Sequence, residues 1–200
     1  MTASESLPAA IRTFIAAPLS DDAIASARRM QDRLRARLAT DAVRWTPAAQ
    51  LHLTLQFLGD IDSACIDALT DALNAQCGSI APFRLTFSKL GCFPTFAKPN
   101  IIWIGVDGDV AKLKELAKRT ETAAKPFCEH TEERDFHPHL TIGRIRPGGR
   151  KLARTLGAKL ETESLPIDTA WTVSELVLFR SELTPKGATH LPLARIPLMQ

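Results

Sequence analysis

The stretch of sequence that decides the fold is LHLTLQFLG at residues 51–59. Its large apolar residues alternate with His52, Thr54 and Gln56, a pattern typical of a β-strand with one buried face and one polar face. Two residues of extended chain span roughly 6.6 Å, so the imidazole of His52 and the hydroxyl of Thr54 project side by side. We expect these two side chains to lie on the polar face, where together they can bind one anion.

A second stretch, FHPHLTIGR at residues 136–144, repeats the same arrangement. His139 and Thr141 share one face of the predicted strand, and the apolar residue that follows each of them points the other way. An isolated histidine in a strand is usually a hydrogen-bonded structural residue. Here two of the chain's five histidines lie in matching HxT units, and we therefore interpret both as functional.

The two motifs occupy matching places in a repeated order of elements. The separation from Phe14 to His52 is 38 residues, and the separation from Ile101 to His139 is also 38 residues. We predict strands at residues 12–18, 51–59, 82–90, 100–106, 136–144 and 175–180, and helices at residues 21–38, 62–76, 110–124 and 151–160. The sequence thus predicts two lobes related by a pseudo-twofold axis, with the polar faces of the motif strands meeting in a cleft.

The lobes are expected to belong to a single domain that covers residues 1–200. No low-complexity tract or Ser/Gly linker separates the halves. The lobes comprise approximately residues 1–95 and 96–200, and strands are allowed to exchange between them. The seam is predicted at residues 91–99, where two prolines interrupt regular structure.

Composition excludes several classes of protein. Apolar residues make up 45% of the chain and charged residues 24%, which excludes global disorder, and the net charge of +3 permits a polyanionic partner. No apolar run approaches the roughly 20 residues that span a bilayer. The N-terminal MTASESLPAA lacks the basic start and apolar stretch of a secretory signal. We expect a cytoplasmic, monomeric protein without membrane insertion.

The two motifs supply two histidines and two hydroxyls, and neither motif has an evident carboxylate or cysteine partner. This set of groups is suited to in-line displacement at phosphorus. One neutral imidazole can accept a proton from the attacking water while the other, protonated, donates to the leaving alkoxide. The hydroxyls of Thr54 and Thr141, supported by a guanidinium, would stabilise charge on the non-bridging oxygens. Zinc is the alternative, because His137 adds a third imidazole to His52 and His139. The HxT units contain no acidic residue for such a site, and we expect no metal.

With these motifs, the sequence resembles the two-histidine (2H) phosphoesterases. Within them it is similar to the bacterial and archaeal RNA 2′,3′-cyclic phosphodiesterases, once described as 2′-5′ RNA ligases. The resemblance is carried by the paired HxTx tetrads and by IRTFIAAPL at residues 11–19, RWTPAAQLHLTLQFLGD at 44–60, PFRLTFSKLGCFP at 82–94, FHPHLTIGR at 136–144 and SELTPKGATHLPL at 181–193. It implies a bilobal α+β fold, with two antiparallel sheets facing a central cleft and helices outside. It also implies that no metal cofactor is needed.

The resemblance assigns roles to single residues. His52 matches the proton donor and His139 the proton acceptor in the opening of 2′,3′-cyclic phosphates at RNA 3′ ends, which leaves a 2′-phosphate. The partners are therefore RNA ends or nucleoside 2′,3′-cyclic phosphates. The resemblance implies that Arg144 helps to bind the phosphate. Simple alternation places Arg144 on the face of the strand opposite to that of His139, so a bulge or strand end near Gly143 is required to bring it to the site.

Three further expectations concern the surroundings of the motifs. Phe14 and Trp45 are predicted to stack on a base, with core packing as the alternative for each. The chain contains no tyrosine, and His190 stands where many relatives carry one. His130 and His190 are expected at the surface.

Two groups of basic residues remain. The first is interpreted as a solvated helix face and comprises Arg28, Arg29, Arg33, Arg35 and Arg37. The second is interpreted as a surface that attracts the phosphate backbone of RNA and comprises Arg144, Arg146, Arg150, Lys151 and Arg154.

The sequence leaves three functional hypotheses in order of preference. The first is metal-independent hydrolysis of RNA 2′,3′-cyclic phosphate ends. The second is RNA end joining to a 2′-5′ linkage at the same site, with a 5′-hydroxyl replacing water. The third is a non-catalytic module in which the histidines only bind the phosphate of RNA or a nucleotide.

Overall fold

Nine strands and four α-helices are present in the part of the chain that the computed structural model describes, residues 8–128, 135–164, 169–184 and 187–199. The strands are β1 (Ala10–Pro18), β2 (Val43–Trp45), β3 (His52–Asp62), β4 (Phe83–Phe93), β5 (Ile101–Gly108), β6 (His139–Ile145), β7 (Ala170–Val173), β8 (Glu175–Thr184) and β9 (Gly187–Pro197). The helices are α1 (Asp21–Leu38), α2 (Ile66–Cys77), α3 (Val110–Ala124) and α4 (Ala153–Glu161).

The strands form two antiparallel sheets. One sheet has the order β3-β1-β8-β9 and the other has the order β2-β6-β5-β4-β7. Helices α2 and α3 contact β9 and β3 of the four-stranded sheet, whereas α1 and α4 contact β7 and β4 of the five-stranded sheet. Each sheet therefore has a helix-covered face, and the predicted α+β fold with helices outside is confirmed.

The strand pairing of the first half recurs in the second half. Phe14 of β1 lies opposite Phe57 of β3, and Ile101 of β5 lies opposite Arg144 of β6. In both cases the second member of the pair comes 43 residues after the first, and the two pairs are 87 residues apart. The next equivalent pairs are also 87 residues apart. Ala16–Thr54 corresponds to Trp103–Thr141, and Pro18–His52 corresponds to Gly105–His139. This shared register is the structural basis of the duplication.

The two sheets do not coincide with the two halves of the sequence. Strands β8 and β9 complete the sheet of β1 and β3, and β2 and β4 join the sheet of β5 and β6. The predicted lobes, at residues 1–95 and 96–200, thus exchange strands in forming the sheets. Strand β9 has no sequence prediction, because Pro192 and Pro197 interrupt its apolar pattern, and it lies at a sheet edge, where proline is tolerated.

Helix α1 begins as its sequence predicts and carries a basic outer face. The Ser20 side chain caps the helix by accepting a hydrogen bond from the Ala23 N–H at 3.3 Å. Carboxylates contact three of its arginines, since Arg33 and Arg37 both contact Glu163, and Arg35 contacts Asp32 at 2.8 Å. These ion pairs agree with a solvated helix face. None of the helices in the described ranges is long and apolar enough to cross a membrane.

Candidate active site

His52 lies at the start of β3, within a group of aromatic rings. Its imidazole stacks on Phe14 with ring centroids 4.8 Å apart, and Phe179 follows at 6.0 Å. The edge of His190 approaches at 5.4 Å. A hydrogen bond with the main chain of Gln50 orients the ring. These contacts leave His52 half-buried and fixed at the cleft end of the strand.

His139 occupies the equivalent position at the start of β6. Its Nδ1 donates a hydrogen bond to the main-chain oxygen of His137 at 2.7 Å, and Phe93 packs edge-on against its ring at 5.0 Å. This bond keeps the proton of the neutral imidazole on Nδ1 and leaves the lone pair of Nε2 free to accept a proton. His52 and His139 therefore have the same support, a main-chain group two residues earlier.

Burial lowers the pKa of both histidines below the ordinary value. For His52, burial followed by the charge of His190 lowers the pKa to about 4, and the hydrogen bond with Gln50 opposes the shift. For His139, burial is the largest cause of its lowered pKa. The hydrogen bond with His137 opposes that shift, and the charges of His137 and Arg144 add to it. Both imidazoles are thus more readily neutral than a free histidine.

The two threonines lie beside the two histidines on their strands. Thr54 and Thr141 are half-buried, on the same strand faces as His52 and His139, while the alternating apolar neighbours of all four are buried. Residues of β3 and β6 approach to within 8 Å between Cα atoms. The two motif strands are therefore neighbours although they belong to different sheets. We call the face of each strand that carries its histidine and threonine the cleft face, and their joining in one cleft stays a prediction.

A bulge in β6 brings Arg144 to the cleft face. Opposite β5, Gly143 pairs with Ile102 and Thr141 pairs with Trp103, so Ile142 is an extra residue. Ile142 and Gly143 are both buried, and Arg144 is exposed. The alternation therefore reverses after Ile142, and Arg144 lies on the same face as Thr141 and His139.

Gln31, a buried residue of α1, stabilises this bulge. Its side-chain Nε2 donates hydrogen bonds to the main-chain oxygens of Ile142 and Thr46, each at 2.8 Å. The Thr46 N–H donates to the same Ile142 oxygen at 3.0 Å. Gln31 is only 3% exposed, so its amide is committed to the bulge. No role for Gln31 could be predicted from the sequence, because its partners come from distant positions in the chain.

An equivalent bulge in β3 brings Phe57 to the cleft face. Gln56 pairs with Ile15 and Thr54 pairs with Ala16, so Leu55 is the extra residue. Phe57 is the next residue on the cleft face and is 52% exposed. Simple alternation would place Phe57 in the core beside Leu55, and the sequence therefore gave no indication of its role.

Neither aromatic residue predicted to stack on a base offers a free ring in the cleft. Phe14 is 3% exposed, because His52 and Phe179 stack on it at 4.8 and 5.2 Å. Trp45 lies opposite Gly143 on the core side of β2, and the Arg35 guanidinium lies 5.6 Å from its ring centroid. A Cβ atom at Gly143 would come within 3.2 Å of the Trp45 ring. Both residues pack within the protein, which was the alternative for each.

The prediction that His190 is a simple surface residue is wrong. His190 is half-buried, with its ring against His52 and Phe14, and its Nδ1 is buried without a hydrogen-bond partner in the described part of the chain. It lies on β9, opposite Ser181. The sequence pattern failed here because β9 was not predicted. His130, the other histidine expected at the surface, lies outside the described residues.

In the described part of the chain, no metal-binding cluster accompanies the histidines. Within residues 8–128, 135–164, 169–184 and 187–199, no three His, Cys, Asp or Glu side chains are grouped as a metal ion would require. His137 is exposed, and its ring lies against Trp103 at 4.9 Å and 6.0 Å from the ring of His139. The main-chain oxygen of His137 orients His139, and that is the contribution of the HPH sequence to the site.

Comparisons with known proteins agree with this fold and site. A family model described as the 2′-5′ RNA ligase superfamily matches residues 19–185. The RNA 2′,3′-cyclic phosphodiesterase of Aquifex aeolicus is 34% identical over 148 residues, which are 74% of this chain and 77% of that protein. The protein of the same name from Methanothermobacter thermautotrophicus is 29% identical over 182 residues, which are 90% and 95% of the two chains.

A solved structure gives the same result for the fold. Escherichia coli LigT in its apo form has a TM-score of 0.75 and 23% sequence identity, over 96% of this chain and all of that one. The fold and the two facing histidine strands define the class of the two-histidine phosphoesterases. The chain belongs to the 2′-5′ RNA ligase superfamily, and the resemblance recognised in the sequence is confirmed.

Proposed function

We propose that the protein hydrolyses 2′,3′-cyclic phosphates at RNA 3′ ends to 2′-phosphates, with His52 and His139 as acid and base. The observation that carries the proposal is the duplicated arrangement of these residues. Each imidazole stands at the start of a cleft strand, is oriented by the main chain two residues earlier and has a threonine beside it. Relatives that are 34% and 29% identical over the aligned residues are named RNA 2′,3′-cyclic phosphodiesterases, which supports the proposal.

The proposed reaction is an in-line displacement at phosphorus. Nε2 of His139 accepts a proton from water as the water oxygen bonds to phosphorus. The bond from phosphorus to the 3′-oxygen breaks, and protonated His52 gives its proton to that oxygen. The phosphate stays on the 2′-oxygen. The hydroxyls of Thr54 and Thr141 and the Arg144 guanidinium stabilise the negative charge on the non-bridging oxygens.

The lowered pKa of His52 has a consequence for the proton donor. With a pKa of about 4, His52 is largely neutral near pH 7 in the free protein. A bound cyclic phosphate brings a negative charge next to the imidazole, and an adjacent opposite charge favours the protonated form. Substrate binding is therefore proposed to be coupled to proton uptake by His52, which then acts as a strong acid toward the leaving oxygen.

The orientation of the nucleotide is proposed to follow from a position at which the cleft faces of the two motif strands differ in chemistry. Phe57 in β3 and Arg144 in β6 are equivalent in register, and both are exposed on the cleft face. An exposed aromatic ring binds a base, whereas a guanidinium binds phosphate. The base is therefore proposed to lie on the side of His52, and the resemblance to the family assigns the leaving 3′-oxygen to that histidine.

The experiment that tests the proposal is turnover of nucleoside 2′,3′-cyclic monophosphates in excess EDTA. The wild-type protein is expected to hydrolyse them, and H52Q and H139Q are each expected to lose at least roughly 10²-fold in kcat while keeping the wild-type circular dichroism spectrum. Tight binding without turnover would instead support the non-catalytic module. Activity that requires added zinc would support the metal alternative.

A further inference from the structure

Arg44 lies directly opposite Arg144 in the pairing of β2 with β6. Residues opposite each other in antiparallel strands project from the same face of the sheet. Arg44 therefore shares the cleft face with Arg144, and both residues are exposed. Burial lowers the pKa of the Arg144 guanidinium, and the charge of Arg44 adds to the shift, as expected for neighbouring cations.

Two adjacent guanidinium groups are unfavourable in the absence of an anion. Like charges directly opposite each other destabilise a sheet. None of the ion pairs among the described residues includes Arg44 or Arg144, whereas three arginines of α1 contact carboxylates. The pair is therefore free to bind a ligand that carries more than one negative charge.

The two arginines reach different parts of such a ligand. Arg144 shares the cleft face of β6 with His139, and in the proposed function its guanidinium binds the reacting phosphate. Arg44 projects from the neighbouring strand, about 5 Å away, and this strand forms the edge of the sheet. A chain that extends from the reacting phosphate past the sheet edge would pass Arg44.

We propose that Arg44 binds a second phosphate, the phosphodiester that joins the terminal nucleotide to the one before it, so that the enzyme prefers an RNA chain to a mononucleotide. This inference rests on the proposed function. The first half of the protein has no equivalent of Arg44, because β3 lies at the edge of its sheet and Phe57 takes the place of Arg144. The RNA chain therefore leaves the cleft on the side of His139.

The test compares two substrates that end in a 2′,3′-cyclic phosphate, a nucleoside and a dinucleotide, with wild type, R44Q, R44K and R28Q. Arg28 is an exposed arginine of α1 outside every described ion pair, and R28Q is the matched control for loss of charge. R44Q is expected to lower kcat/KM roughly tenfold for the dinucleotide and less than about twofold for the nucleoside. R44K is expected to retain most of the dinucleotide activity, and R28Q all of it.

Salt dependence provides a second readout. Each phosphate contact to a single strand contributes about 0.7 to the slope of log kcat/KM against log salt concentration, so R44Q should reduce that slope by about this amount for the dinucleotide only. Equal losses on both substrates, or an unchanged dinucleotide rate, would overturn the inference and leave the proposed function standing. Absence of turnover of both substrates by the wild type would contradict the proposed function itself.

Discussion

Phe57 and Arg144 occupy equivalent positions in the two halves of the protein. Each comes three residues after the threonine of its HxT motif, and each reaches the cleft face because a bulge reverses the alternation of its strand. The protein thus places an aromatic ring and a cation at symmetry-related positions beside two histidines of equal support. In the proposed reaction the two-fold arrangement provides the acid and the base, and this pair of residues distinguishes the two ends of the substrate.

The first prediction concerns Phe57. Stacking of a base on an aromatic side chain contributes about 1–3 kcal/mol, so F57A is expected to raise KM for nucleoside 2′,3′-cyclic phosphates by roughly tenfold, with a smaller change in kcat. F57W is expected to keep the wild-type KM. Met199, which is 58% exposed at the C-terminal end, provides a control in M199A. An F57A protein with wild-type KM would show that the base binds elsewhere.

A second prediction concerns His190, whose charge lowers the pKa of His52. H190F removes this charge and preserves an aromatic contact with Phe14 and His52. The pKa of His52 is therefore expected to rise above about 4 but to stay below the ordinary value of 6.5, because burial, the larger cause of the shift, remains. Titration of the His52 ring signals by NMR measures this directly. H137F, at a residue whose ring lies against Trp103 and His139, is expected to leave the His52 titration unchanged. An unchanged His52 midpoint in H190F would contradict the assigned interaction.

The third prediction is the pH dependence of kcat/KM, which reports the free enzyme. The reaction needs one protonated and one neutral histidine, so the profile is bell-shaped. Because the pKa of His52 and that of His139 are both lowered, the optimum is expected below pH 6.5, with kcat/KM falling as pH rises further and the proton to be donated is lost. A profile that is flat from pH 5 to pH 9 would argue against acid–base catalysis by the pair.

The fourth prediction concerns Gln31, which positions Arg144 through the bulge in β6. Q31A removes both hydrogen bonds of the amide and is expected to lower the free energy of unfolding by about 1–3 kcal/mol. It is also expected to raise KM for the cyclic nucleotide, because Arg144 loses its orientation. Q76A, at an exposed glutamine of α2, serves as the control. A destabilised Q31A protein with an unchanged KM would limit Gln31 to a structural role.

Local patterns in the sequence predicted much of this architecture. The helix predicted at residues 110–124 is observed as α3 at the same bounds, and the two HxT strands were recognised from alternation alone. The alternating pattern of apolar and polar residues could not predict the two bulges, because a bulge depends on the register of the partner strand. The contacts of Trp45 with α1 and of His190 with His52 likewise depend on strands β2 and β9, which are too short or too interrupted to be recognised.

The most direct test of the account is the identity of the product isomer. Phosphorus NMR of a nucleoside 2′,3′-cyclic phosphate, hydrolysed by the wild-type protein in excess chelator, distinguishes the 2′-phosphate from the 3′-phosphate. A base on Phe57 and a leaving 3′-oxygen at His52 predict the nucleoside 2′-phosphate as the dominant product. A dominant 3′-phosphate would contradict this orientation and exchange the roles of His52 and His139.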